Sequence, residues 1–500
     1  MRLRSFFNGA VATAALACLA TPSLAERLTV ALSANVTLLD PAMTTTVGTD
    51  LSVISHLYTP LVIRGPDLKL QPALASSWEA VDDNTWRFKL RPDVKFANGE
   101  PLDAAAVKWN IDRILDPNQK APVRAWLSAI KDVRVVDPTT VDLVTSSPYP
   151  SLPDQMSMIF FLPPVWSKSH NPAIEALGSG PYDLVEFKPG DRVVLKAKPN
   201  YTAGPKPAFD DVVFRVIPED ASRISALLVG EVDLISGVAP SELARIKNSG
   251  KFVVGAVPST RMQFVKFNNL KAPFKDNPAL RLALNYAVDK QAILDTLFEG
   301  YGSLNACQPL NESYFGFNPD LKPFPYDPAK AKELLAKAGY PNGLTIEFEV
   351  PLGRYLLGAE VSQAIAAQLE EVGVKTNLVE MEYGRWIDKF QNAGNVGSLS
   401  YLGQSWPTLN ADGMLSLFET GNRYSYYENA DFTRLIREAR STTDEKKRVE
   451  IYKKATESFC ADPAHIVLFN QPTTYAFADR VKWTVRSDDW FRAVDVQLAK

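Results

Sequence analysis

The stretch from Leu344 to Glu382 constrains the fold more than any other. LTIEFEV alternates apolar and polar residues as a strand does, EVSQAIAAQLEEVG places apolar residues at helical spacing and stops at Gly373, and VKTNLVEME returns to the strand period. Strand, helix, strand within about forty residues is the pattern of a right-handed parallel crossover. Parallel neighbours cannot be joined by a tight turn, so the helix must lie over the sheet, and the class is α/β.

The rest of the chain agrees with that class. A first strand is expected at Leu28 to Leu32, followed by a Thr-rich loop, DPAMTTTVGTD. In WRFKLRPDVKFANGEPLDAAAVKW, Trp86, Phe88 and Leu90 share one strand face, Val94 and Phe96 continue the period of two, and Asn98-Gly99 supplies a turn. Asp103 then reads as the N-cap of a helix carrying Val107, Ile111 and Ile114. A strand follows near Thr140 to Val144, and prolines at 148, 150, 153, 163, 164 and 172 interrupt regular structure. DDVVFRVIP and ASRISALLVGEVDLI suggest a second strand-helix-strand unit, with the helix stopped at Gly230. Further on, Asp327 and Pro328 open a helix that Gly339 ends; helices near Phe432 to Ala439 and Glu445 to Phe459 precede a last strand, HIVLFNQ.

The first 25 residues stand apart. Arg2 and Arg4 precede an apolar run from Ala10 to Ala20, and Ser23-Leu24-Ala25 fits a signal-peptidase site, so a mature chain beginning at Glu26 and a periplasmic location are expected. A lipoprotein ending its leader at Cys18 is the rival reading, although Ala15-Leu16-Ala17 reverses the usual order of leucine and small residue. Loss of two arginines and no acid would move the formal net charge from −3 to −5. That mild acidity, with both signs interspersed, offers no basic block for nucleic acid. Cys307 and Cys460 would be the two mature cysteines, and an even number in an exported chain favours a disulfide over two separate buried thiols.

A nucleophile elbow, a zinc-binding H-E-x-x-H, a P-loop and a dinucleotide fingerprint do not occur in the sequence. His56, His170 and His465 are far apart in sequence and read as surface or core residues rather than ligands. No cofactor is implied. Trp386, Tyr401, Trp406, Tyr424, Tyr426 and Tyr427 fall in a loop-rich region and suit the wall of a pocket, the alternative being that half or more of them are core.

SSWEAVDDNTWRFKLRPDVKFANGEPLDAAAVKWNIDRI closely resembles the segment that marks the family 5 extracellular solute-binding proteins, the dipeptide, oligopeptide and nickel group of ABC importers. GSGPYDLVEFKPGDRVVLKAKPNY, RISALLVGEVDLI, VKFNNLKAPFKDNPALRLALNYAVDKQAI, YDPAKAKELLAKAGYPNG and AIAAQLEEVGV look like further family motifs in family order, spanning about Leu38 to Phe477. One departure is Ala106, where the family commonly carries an acid. The resemblance implies a two-lobed α/β fold with three subdomains and two hinge crossings: a signal peptide at 1–25, domain I at 26–56, 175–267 and 471–500, domain II at 57–174, and domain III at 268–470. Both mature cysteines would then share domain III. The hinges would be AVPSTRMQF and NQPTTYAF.

It also implies a receptor rather than an enzyme, a monomer that delivers solute to inner-membrane permease subunits. Arg354, in PLGRYLLGAE at the carboxyl end of a strand, matches the arginine that grips the ligand carboxylate in dipeptide-binding relatives; a surface arginine paired with Glu360 is the competing reading. The expected ligand-binding set is Thr45, Arg261, Met262, Arg354, Tyr355, Ser405 and Trp406. Dipeptide binders place an aspartate in the loop that here reads YLGQSWPTLNADGM, and this chain has no carboxylate there until Asp412. A free dipeptide therefore fits poorly, as does nickel. A small peptide or peptide-like solute, such as a peptide derivative or amino-acid conjugate with an apolar body, fits better; an oligosaccharide or opine-like conjugate is the second reading, and a secreted hydrolase a distant third.

Overall fold

A computed structural model describes residues 26–201, 203–391 and 395–499. The expected leader, with Cys18, lies outside them. Two long antiparallel strands, Phe252–Phe267 and His465–Ala478, form the spine of an 11-stranded sheet. On one side of the spine come Leu399–Gln404, Leu344–Leu352 and Val374–Glu382; on the other come Leu234–Ser236, Arg27–Leu32, Asp211–Val216, Arg192–Ala197 and Tyr182–Lys188. These two wings are the cores of two lobes.

Period-two alternation explains how each wing is covered on both faces. In the first lobe Leu28, Val30 and Leu32 enter one apolar cluster while Ala31 enters another with Ile224 and Ile235. In the second, Val265 and Phe267 face the cluster of Ile346, Phe348 and Ile365, whereas Met262 and Phe264 face that of Trp386, Tyr426 and Phe459. The predicted crossover is present: Leu344–Leu352 pairs parallel with Val374–Glu382 through the helix Gly358–Glu371. Asp211–Val216 and Leu234–Ser236 form a split version, since Arg27–Leu32 lies between them, parallel to both.

The two spine strands pair from Phe252↔Ala478 to Pro258↔Pro472, the ladder is interrupted, and it resumes at Met262↔Asn470. Proline has no amide hydrogen to donate, so facing prolines mark the point where the sheet gives up its ladder and the chain passes between lobes.

A separate antiparallel sheet, Ala75–Asp82, Thr85–Leu90, Thr140–Thr145 and Ile130–Asp137, enlarges the first lobe and is covered by the helix Ala104–Leu115. Asp103 caps that helix, accepting from the Ala106 amide at 2.9 Å. The strand is shorter than its pattern suggests. It ends at Leu90, and Val94 and Phe96 are buried beside a tight turn at Asn98-Gly99, where Gly99 has φ +86° and Lys95 bridges Pro101. The Thr-rich loop is also more ordered than expected: Val47–Leu51 forms a π-type turn that runs into the helix Ser52–Leu57. Asp50 organises it by accepting from the Thr37 amide and from the hydroxyls of Thr37 and Thr44, each at 2.8 Å.

Cys307 and Cys460 form a disulfide, with Cα atoms 5.0 Å apart, tying the segment after Ser303–Leu304 to the helix Glu445–Ala461. Among the described residues no helix is long and apolar enough to cross a membrane.

Candidate functional site

The hinge crossings, the 353–357 loop, the 404–410 loop and the segment 486–492 converge between the lobes. Arg354 occupies the exposed loop after Leu344–Leu352, where its guanidinium lies 5.6 Å from the Tyr355 ring centre and 5.8 Å from that of Tyr383. Tyr355 is half-buried, packs edge-on against Tyr401, and has its hydroxyl pushed to a higher pKa by burial. Arg261 leaves the hinge strand and donates to the Gly403 carbonyl at 3.3 Å. Neither arginine makes an ion pair among the described residues, so Glu360 is not the partner of Arg354.

Trp406 touches apolar clusters of both lobes. Its amide donates to the Tyr314 hydroxyl at 2.7 Å, and its indole lies against Gly413, where a Cβ would overlap Nε1. That Nε1, Gln404 Oε1 and Thr408 Oγ1 are buried polar atoms without a hydrogen-bond partner among the described residues. Buried groups of this kind usually find a partner in folded proteins, and three of them fall within residues 404–408. Ser405 is half-buried beside them and Thr45 is exposed on the opposite lobe. Met262, only 1% exposed, packs inside the second lobe and supports the loop rather than facing a solute.

Residues not singled out from sequence complete the constellation. Arg64, on the first lobe, donates to Asp154 Oδ1 at 2.6 Å and to the Thr408 carbonyl, while Asn410 donates from the other lobe to Asp154 Oδ2 at 2.8 Å. These contacts close the lobes on one another. Beside them a small cavity of about 20 Å³ is lined by Arg64, Phe160, Arg486, Trp490 and Arg492 of the first lobe and Pro407 of the second. Its arginines are matched by acids: Arg64 with Asp154, Arg486 with Asp488, and Arg492 with Asp495. Asp489 belongs to none of these pairs.

The aromatic region is mostly interior: Trp386, Tyr401, Tyr426 and Tyr427 are at most 2% exposed, and Trp406 is the member at the lobe boundary. His56 and His465 are buried core residues as well. His56 Nδ1 donates to the Ser52 carbonyl and Nε2 accepts from the Ala493 amide, each at 2.8 Å, which fixes the neutral ring; burial lowers its pKa to about 4. Among the described residues no group of three His, Cys, Asp or Glu is placed to hold a metal ion.

A profile of the bacterial extracellular solute-binding proteins, family 5, matches residues 69–426. A glutathione-binding protein, GsiB, of Pectobacterium atrosepticum is 29% identical over 465 residues, which cover 90% of each chain. Heme-binding protein A of Haemophilus influenzae is 30% identical over 425 residues, covering 77% of this chain and 76% of that one. The crystal structure of the ABC transporter substrate-binding protein CtaP from Listeria monocytogenes superposes with a TM-score of 0.86 at 25% identity, over 95% of this chain and 100% of the other.

Proposed function

Because the chain belongs to the bacterial extracellular solute-binding proteins of family 5, we propose that it is a non-catalytic periplasmic receptor that captures a small peptide or peptide-like solute between its lobes and delivers it to an inner-membrane ABC permease. The observation that carries the solute class is the pair of guanidinium groups without an ion-pair partner among the described residues: Arg261, bonded to the Gly403 carbonyl beside the 404–410 loop, and Arg354, set against Tyr355 and Tyr383. A guanidinium presents two parallel N–H groups to a carboxylate, and closure removes the water that would otherwise screen them. The name of the GsiB relative makes glutathione the first solute to try.

In this reading the lobes rotate about the two crossings near Pro258 and Pro472, and the solute favours the closed arrangement by touching both lobes at once. The subdomains in this reading are domain I at 26–56, 175–267 and 471–500, domain II at 57–174 and domain III at 268–470, with the crossing between lobes falling earlier, near Pro258, because Met262 to Phe267 pack in the second lobe; the mature chain starts at Glu26. Native mass spectrometry of protein purified without refolding, followed by isothermal titration with glutathione, tests the proposal. A bound peptide or amino-acid conjugate supports it; a neutral sugar or a haem in the cleft, with no response to peptides, overturns the solute class.

A further inference from the structure

Asp489 is a half-buried carboxylate at the lobe boundary, held in a left-handed backbone conformation at φ +61°. Its surroundings include both hinge crossings and the turn at Gly48. The Thr260 amide on one hinge crossing donates to the Ser487 carbonyl at 2.9 Å, the Thr473 hydroxyl on the other donates to Asp489 Oδ1 at 3.2 Å, and a Cβ on Gly48 would lie 4.0 Å from the Asp489 Cβ. Oδ2 accepts no hydrogen bond among the described residues, and no cation approaches to ion-pair distance. Desolvation raises its pKa above the usual carboxylate value, with Arg261 the strongest opposing influence and Arg354 a further one, so both guanidinium groups lie within electrostatic reach.

We infer that Asp489 is the ammonium anchor of the solute site, and that with Arg261 and Arg354 it selects a peptide-like solute bearing one ammonium and two carboxylates. The charges around it are already matched in pairs, which leaves two positive groups and one negative group uncommitted. A closed, water-poor cleft penalises uncompensated charge, so its best occupant carries net −1 with the signs in complementary places. Asp489 thereby supplies, from the segment after the last hinge, the carboxylate that the 404–410 loop lacks. The inference rests on the receptor reading above.

Three probes test it by isothermal titration: glutathione, N-acetylglutathione and trialanine. Wild-type protein is expected to bind glutathione at least about 30-fold more tightly than either of the others, the loss typical of a broken buried charge pair. Asp489→Asn should weaken glutathione by a similar factor and leave N-acetylglutathione within about threefold, since that probe has no ammonium to lose. The wild-type comparison stands even where the variant folds poorly. Equal weakening of glutathione and its acetylated form by Asp489→Asn, or equal wild-type affinity for the two, overturns the anchor. Tight binding of trialanine alone overturns the charge selection but keeps the peptide reading, and binding of none overturns the peptide reading and the anchor with it.

Discussion

Replacing Asn410 with serine isolates what the contact between lobes contributes. Asn410 plays two parts: its Oδ1 accepts from the Asp412 amide at 3.1 Å as the cap of the helix Ala411–Leu415, and its Nδ2 reaches across to Asp154 Oδ2 at 2.8 Å. Serine is an equally good cap but is too short for the second part. Asp154 is buried enough that its pKa is raised despite Arg64 and Asn410, so its ionised form depends on every donor it has. A hydrogen bond to such a charge contributes about 1.5–3 kcal/mol, and this one exists only when the lobes meet. The closed-to-open ratio should fall by about 10- to 150-fold, and solute affinity should fall in step where the solute closes the lobes. Small-angle scattering with and without solute reads the lobe separation, and titration calorimetry reads the affinity. Unchanged scattering and affinity with a lowered unfolding midpoint would show that Asn410 and Asp154 only pack locally, and the reasoning would fail.

Arg354→Ala should weaken a carboxylate-bearing solute by about 30-fold to several thousand-fold, with partial recovery in Arg354→Lys and little change in the unfolding midpoint of the free protein, because the side chain is exposed; wild-type affinity in calorimetry would remove it from the site. Cys460→Ser should cost up to about 4–5 kcal/mol by the chain-entropy argument, since the bond spans 153 positions, while leaving solute affinity intact; peptide mapping that finds two freely alkylated thiols in unreduced protein would contradict the pairing. His56 is held neutral in the fold with a pKa of about 4, so the unfolded chain binds a proton that the folded chain refuses: its contribution is complete above about pH 6.5 and is lost as pH falls toward 4, by about 3 kcal/mol. Denaturation midpoints across that range should slope less in His56→Gln than in the wild type, and equal slopes would refute the assignment.

Local signals carried the elements and failed where burial is decided by distant parts of the chain. Asp103, Asp327 and Gly373 do at their own positions what their types suggest, so the helices they bound were legible. The segment from Val47 to Leu57 was not, because threonines, Gly48 and Asp50 read as a loop until Asp50 is seen bonding Thr37 and until Gly178 and Gly180 press against Leu57 and His56. Trp386, Tyr426 and Tyr427 look like pocket wall only while the third apolar cluster that encloses them is unknown. The position of Arg354, in a loop just after a strand, was legible. Asp489 was not: Asp488 and Asp489 are the same residue type side by side, and only the fold sends one onto Arg486 and the other toward the boundary of the lobes.

The order of strands also separates, along the chain, the residues that complete each lobe. The strand Arg27–Leu32 has neighbours at residues 211–216 and 234–236, but the next strand outward from Leu234–Ser236 is supplied by residues 475–477. The half of the spine that pairs Met262 with Asn470 through Lys266 with His465 is complete before those residues are reached from the N-terminal side. A chain emerging from a ribosome or a translocation channel can therefore assemble its second lobe as a finished unit while the first still exposes the edge of Leu234–Ser236. The lobe that begins the sequence is thus the one whose sheet waits for residues 475–477, and until they arrive the edge of Leu234–Ser236 stays unpaired.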